Sequence, residues 1–209
     1  MYVLLLPLLI VCVIARVVYL LFLPKNNGLK LKSKEKLKTA IIIGSGGHTA
    51  EMLRIVSRLN RENYTPRYYI MASSDTTSEN QVLKSENKLK SPDFQLLKIP
   101  RSRHVGQSYI SSVFTTLIST LYCIPLMLRH RPQLILCNGP GTCVPICLIA
   151  YFMKIVFISN PTIVFIESVC RVKTLSLTGY MLYFIADLFF VQWPGLSKKF
   201  KRTLYVGRL

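Results

Sequence analysis

The stretch "GSGGHT", residues 44–49, gathers Gly44, Gly46 and Gly47 beside His48, Ser45 and Thr49. Residues of these types hold phosphate. Glycine lets the main chain turn sharply and bring its N–H groups against an anion. A helix starting just beyond adds unpaired N–H groups and the positive end of its dipole. Met52, Ile55, Val56 and Leu59 recur at helical spacing, so such a helix is expected from near Thr49. His48, at a strand's carboxyl end, is placed to contact phosphate or to take a proton as a general base. A tight turn with no ligand is the competing reading of the loop.

Two nucleotide grips do not fit. A Walker loop requires GK[ST], which is missing. A dinucleotide fingerprint requires a third glycine and an acid about 20 residues later. Thr49 stands at the third glycine, and no acid follows the second expected strand until Asp75. A self-sufficient nucleotide-binding oxidoreductase is therefore disfavoured.

A second cluster, "NGPGT", supplies Asn138, Gly139, Gly141 and Thr142, again between an expected strand and an expected helix. Two such turns can face each other across one crevice and hold one extended anionic ligand. Arg101, Arg103 and His104 follow the third expected strand and are candidates for the same rim; an exposed basic loop is the alternative. Glu167 ends the apolar run "IVFIE". A carboxylate there is costly unless paired, so it needs Arg171, a backbone donor or a substrate hydroxyl.

These residues require a scaffold of strands with open carboxyl ends. Short apolar runs at 39–45, 66–73, 94–100, 133–139, 162–168 and 187–193 read as strands, with helical stretches such as 78–90 between them. The alternation predicts an α/β fold with a mainly parallel sheet, covered by helices on both faces. Ligands bind beyond the carboxyl ends of such strands. Two apolar stretches complicate the pattern. Residues 109–128 carry no charge and 141–153 are also apolar. By length 109–128 reaches a membrane span, but its serines and threonines, Pro125 and arginines on both flanks favour a helix packed on the sheet that also rests on the membrane surface. Taking 109–128 and 141–158 as spans would give a polytopic, transporter-like protein instead.

Residues 1–24 read as a transmembrane anchor, longer than the ~20 apolar residues a bilayer needs. Arg16, its only charge, is expected to snorkel toward the interface. The basic linker 25–38 follows, with six lysines. Positive charge stays cytosolic, so the N-terminus is expected outside the cytosol and the body within it. The chain carries a formal net charge of +18 from 27 basic and 9 acidic residues. That excess calls for an anionic partner. Many aromatics lie inside apolar runs, which favours membrane lipid plus a phosphorylated ligand over nucleic acid. The six cysteines form no CxxC pair or zinc spacing and are read as reduced thiols. No cofactor is expected.

"GSGGHTAEM", "NGPGT", "IESVCR" and "SLTGYMLYFIADLFFVQW", in this order over residues 39–195, resemble the membrane subunit of the eukaryotic transferase that adds the second N-acetylglucosamine to dolichol-diphosphate-N-acetylglucosamine. More distantly, the chain is similar to the acceptor half of the bacterial enzyme that glycosylates lipid I. The resemblance implies a Rossmann-like half of a GT-B glycosyltransferase split over two chains. This chain would hold the dolichol-diphosphate-linked acceptor, and a soluble partner the UDP-N-acetylglucosamine. The chain ends soon after the last expected strand, where a one-chain enzyme crosses into its donor domain; an obligate partner is expected, with 196–209 as its docking tail. Carried over, Gly44 to Thr49 would contact the diphosphate, with His48 as contact or base. Gly139, Gly141 and Thr142 would form the second grip, and Glu167 and Arg171 the "ExxxR" segment, Glu167 as a candidate catalytic carboxylate. The implied reaction is inverting, and with no DxD motif no metal is expected. The implied place is the cytosolic face of the endoplasmic reticulum membrane, with the nuclear envelope as a further site. The alternative is a non-catalytic membrane scaffold that recruits a soluble enzyme.

Overall fold

Strict alternation along the strands sorts the side chains to two faces. Ala40 and Ile42, Ile135 and Cys137, and Ile163 and Phe165 point one way. Ile41 and Ile43, Leu134 and Leu136, and Val164 and Ile166 point the other. Both faces are apolar, as a parallel sheet buried on both sides demands. A computed structural model describes residues 2–22, 36–88, 93–103 and 106–209. It contains one sheet of β1 (Thr39–Ile42), β2 (Arg67–Ala72), β3 (Phe94–Ile99), β4 (Leu134–Cys137), β5 (Thr162–Ile166), β6 (Leu188–Val191) and β7 (Thr203–Tyr205). Every neighbouring pair is parallel, in the order β3-β2-β1-β4-β5-β6-β7. The order reverses between β1 and β4. That switch point is where open α/β sheets bind ligands, and both glycine turns leave from it.

α2 (Gly47–Ser57) and α3 (Thr76–Lys88) cover one face through Met52, Val56 and Val82. α4 (Tyr109–His130), α5 (Cys143–Ile155), α6 (Leu177–Leu182) and α7 (Pro194–Lys199) belong to the other. Cys123 and Met127 of α4, six residues of α5 from Cys143 to Met153, Leu182 of α6 and Leu196 of α7 join its core. The six expected strands are all present. β7, like most of α7, lies within residues 196–209, so the sheet continues through the segment expected as a tail. Thr203–Val206 is a short β-prone run whose basic neighbours mask it in the sequence.

α5 is a core helix with nine buried residues, Cys143 to Lys154, pressed on the sheet. At 13 residues it is shorter than the ~20 a bilayer core needs, which counts against the span read at 141–158. α4 is long and apolar enough to cross a membrane, yet it packs on α5 and β3. Its hydroxyl stripe explains the choice: Thr115, Thr116 and Ser119 donate to the carbonyls of Ser102, Ser102 and Pro100 at 2.6, 3.2 and 3.0 Å. The opposite face leaves Ile110 and Phe114 exposed.

α1 (Tyr2–Phe22) has 21 residues, or ~31 Å of helix, enough for a bilayer core. Its end docks on the body. Arg202 Nη1 donates to the Leu21 carbonyl at 2.8 Å, capping the last turn. Arg16 does not run free to an interface, as expected from its sequence. Its guanidinium donates to the Lys154 carbonyl from Nε and Nη2, both at 3.4 Å, and stands 4.4 Å over the Phe157 ring. That carbonyl, near the end of α5, also accepts from Phe157 N at 3.4 Å and has a second lone pair for the guanidinium. Most of the basic linker, residues 25–35, and His104 lie outside the described residues.

Candidate functional site

Where β1 ends, Gly46 takes φ 62° and ψ −124°, a conformation essentially reserved for glycine, and α2 starts at Gly47. Where β4 ends, Gly139 takes φ 94° and α5 follows. The two turns touch. A Cβ at Gly44 would lie 2.6 Å from that of Pro140, and one at Gly139 would lie 3.1 Å from His48 Cε1. Asn138 Nδ2 locks them together by donating to the His48 carbonyl at 2.8 Å. The first turns of α2 and α5 therefore share one crevice, and each offers unpaired N–H groups and a positive dipole end.

The crevice opens into a cavity of about 1190 Å³. Of the residues singled out from the sequence, Gly44, Ser45, Gly47, His48, Gly139, Gly141, Thr142, Arg101, Arg103 and Arg171 line it. Gly46, Thr49, Asn138 and Glu167 do not. Thr49 is buried; its hydroxyl bonds the Gly44 carbonyl and lies 2.8 Å from Ser78 Oγ. That hydroxyl occupies the place of a dinucleotide fold's third glycine and stitches β1 to α3.

Five arginines, at 54, 101, 103, 171 and 208, line the cavity against two acids, Glu51 and Asp75. Both acids are engaged. Glu51 Oε1 accepts from Val169 N and Gln192 Nε2 at 2.9 and 2.6 Å. Asp75 Oδ1 accepts from Ser78 N at 3.0 Å, and its Oδ2 is 4.0 Å from Arg101. Ser74 Oγ also accepts from Arg101 Nε at 3.2 Å. The cavity is net cationic and Arg101 is held in place by Ser74 and Asp75, which suits a multiply charged anion.

His48 faces this space with an unusual feature. Its Nδ1 is buried and has no hydrogen-bond partner among the described residues. An orphan acceptor is better tolerated than an orphan N–H donor. A neutral imidazole therefore places its proton on Nε2 and is arranged as a donor.

Glu167 is fully buried behind the cavity wall. Of the partners weighed from its sequence, backbone donors are the ones it meets. Oε2 accepts from Ser176 N and Oγ at 2.9 and 3.1 Å, and Oε1 from Ser168 N at 3.1 Å. It forms no ion pair with Arg171. Burial pushes its carboxyl above the usual range, opposed by the Ser176 and Ser168 donors and by the charge of Arg171. The carboxylate ties the loop after β5 to Ser176, whose hydroxyl accepts from Gly179 N at 2.9 Å and caps α6. Ser176 and its N-cap role went unread, although "SLT" before an apolar run is a start signal. Arg54, Arg208 and Glu51 also went unread, because nothing local marks which exposed charges converge.

A family model described as "Oligosaccharide biosynthesis protein Alg14 like" matches residues 39–209. The chain belongs to this family. A relative from Mus musculus, named UDP-N-acetylglucosamine transferase subunit ALG14, is 45% identical over 184 residues, 84% of each chain. A Candida albicans protein of the same name is 43% identical over 203 residues, covering 96% of this chain and 92% of its own. Among solved structures, MurG of Acinetobacter baumannii aligns with a TM-score of 0.57 at 15% identity. The alignment covers 83% of this chain and spans 44% of the MurG chain. The Alg14-like fold is thus the Rossmann-like architecture of one MurG portion. Within the matched span lie both glycine turns and β7, so the strand at the sheet's end belongs to the family's matched region.

Proposed function

We propose that this chain is the acceptor-binding, membrane-anchoring subunit of a two-chain N-acetylglucosaminyltransferase. It transfers N-acetylglucosamine from UDP-N-acetylglucosamine to dolichyl-diphosphate-N-acetylglucosamine and yields dolichyl-diphosphate-chitobiose. A soluble partner subunit carries the UDP-sugar. The observation that carries the reading is the cationic cavity where two helix N-termini and two glycine turns converge at the switch point of the sheet. The relatives' name, UDP-N-acetylglucosamine transferase subunit, supports the choice of sugar nucleotide and of a partner. α1 anchors the domain on the cytosolic face of the endoplasmic reticulum, its N-terminus lumenal.

In the reaction the acceptor sugar's 4-hydroxyl oxygen attacks the anomeric carbon. The new C–O bond forms as the bond to UDP breaks with its electron pair, and the hydroxyl proton passes to a base. This chain's part is to fix the acceptor. Backbone N–H groups of the two turns and His48 Nε2–H hold the diphosphate, and the arginines neutralise it. Glu167, engaged from three donors, acts as a positioning residue for the wall.

Gly47 and Gly141 allow a clean check. Both line the cavity, neither has a positive φ, and a Cβ at either meets nothing within 4 Å. Alanine there leaves the fold intact but stands between backbone and phosphate. A ligand displaced by ~1 Å loses up to about a hundredfold. Gly47→Ala and Gly141→Ala each lower kcat/KM for the lipid acceptor by about ten- to a hundredfold, with an unchanged melting temperature.

The division between acceptor and donor is tested at Cys170, which is exposed and lines the cavity. Among the other cysteines only Cys12 is exposed. In a Cys12→Ser protein a maleimide reports on Cys170. The lipid acceptor slows this labelling and UDP-N-acetylglucosamine does not. Protection by the UDP-sugar and not by the acceptor would make this chain the donor half and sink the proposal.

A further inference from the structure

Beyond the glycine turns and arginines, the cavity includes a trench lined by three pairs of apolar side chains one helical turn apart. Val113 and Leu117 come from α4, Val144 and Leu148 from α5, and Leu177 and Met181 from α6. Ser112, Thr116 and Thr120 of α4 and Thr178 of α6 also line the cavity, the hydroxyls of Thr116 and Thr120 being bonded to the Ser102 and Thr116 carbonyls. Spacing of i and i+4 puts each pair on one face of its helix. α5 packs against both α4 and α6, so the three pairs enclose one channel. We propose that this trench is a subsite for the first isoprene units of the lipid acceptor, those next to the diphosphate. The inference rests on the acceptor reading above and extends it from the headgroup to the chain.

Three observations select a prenyl chain as the occupant. The trench and the phosphate-binding turns are parts of one cavity, so whatever enters is continuous with the anion. At about 1190 Å³ that cavity exceeds the ~300–1,000 Å³ of sites for compact small molecules. The trench also has a direction. α5 begins at the second glycine turn and ends at Lys154, where Arg16 of α1 is docked. The stripe from Val144 to Leu148 continues to Phe152, which is 55% exposed, and the stripe from Val113 to Leu117 continues to Leu121, which is 65% exposed. An apolar path thus leads from the diphosphate toward the anchor helix. A ligand with an anionic head and a branched hydrocarbon tail matches both ends, with the head at the sheet and the tail running to the bilayer.

The test uses the full chain assembled with its soluble partner in detergent. The acceptors are diphosphate-N-acetylglucosamines carrying one or four isoprene units. The readout is the ratio of kcat/KM for the four-unit acceptor to that for the one-unit acceptor. Leu117 and Leu148 are 56% and 40% exposed, so polar replacements there spare the core. In a Leu117→Gln/Leu148→Gln protein the ratio falls about tenfold, the loss expected when one to two CH₂ groups' worth of apolar contact is removed. Leu204→Gln, on β7 away from the cavity, leaves the ratio as it was and controls for detergent partitioning. An unchanged ratio in the trench variant overturns the inference. So does an equal loss on both acceptors, which would place the effect in the headgroup site. Loss of partner co-elution would reassign the trench to a protein interface. If the unmodified complex turns over neither acceptor, the proposed function fails and the subsite fails with it.

Discussion

Replacing His48 by alanine lowers kcat/KM of the assembled transferase about 10²–10³-fold, the scale of a lost donor to a concentrated negative charge. The fold and the partner contact survive. Asn138 bonds the His48 carbonyl, which alanine keeps, and the imidazole Nδ1 holds no structural partner among the described residues. On the proposed reading the side chain serves the ligand rather than the fold. Its role as donor or base is separable. A donor is partly replaced by the amide of glutamine, so His48→Gln recovers at least about tenfold over His48→Ala. A general base is not, and equal activities of the two variants would contradict the donor assignment. The same variants bear on the non-catalytic scaffold: lost turnover with intact partner recruitment excludes it, and full turnover by His48→Ala supports it.

Glu86→Ala costs about 3–5 kcal/mol of stability, the penalty for leaving a buried charge uncompensated. Glu86 and Arg67 are both 1% exposed, on α3 and β2. Arg67 Nε and Nη2 donate to the two carboxylate oxygens at 3.1 and 3.0 Å. Tyr69 donates its hydroxyl to Glu86 Oε1, and Arg61 stands 3.5 Å from Oε2. Burial, then the bond to Glu86, holds the Tyr69 phenol well above its ordinary range, so it stays a donor at every working pH. Without the carboxylate, Arg67 keeps only part of its hydrogen bonding in an apolar layer. The loss is a large share of the ~5–15 kcal/mol available to a domain. Urea unfolding reads it as a lower midpoint at an unchanged slope. An Arg67→Met/Glu86→Leu pair recovers most of it, since a buried ion pair is worth little against well-packed apolar groups. A loss below about 1 kcal/mol in Glu86→Ala would contradict this account of the β2–α3 contact.

The sheet was legible because its strands are buried on both faces and read as short aliphatic runs, "TAIIIGS" and "QLILCNG" among them. The glycine turns were legible because Gly46 and Gly139 occupy conformations few other residues tolerate. β7 was not. It has three residues beside lysines and arginines, and only pairing with β6 makes it a strand. Glu167 could be recognised as needing partners, but not which ones, because Ser176 lies nine residues away across a loop. The apolar trench was invisible for a similar reason. Its three pairs sit on three helices roughly thirty residues apart, and each alone is an ordinary amphipathic stripe. Arg16 shows the limit on the anchor: a lone charge in an apolar helix signals a partner, while the Lys154 carbonyl that satisfies it is 138 residues distant.

The division of labour between two chains is tested most directly by reconstitution. This chain alone, a soluble UDP-N-acetylglucosamine-binding partner alone, and the two mixed are each given a lipid-diphosphate-N-acetylglucosamine acceptor and UDP-N-acetylglucosamine, and formation of the chitobiosyl lipid is followed. The account predicts product from the mixture and from neither chain by itself. Product from this chain alone, or from the partner alone at the rate of the mixture, would contradict it.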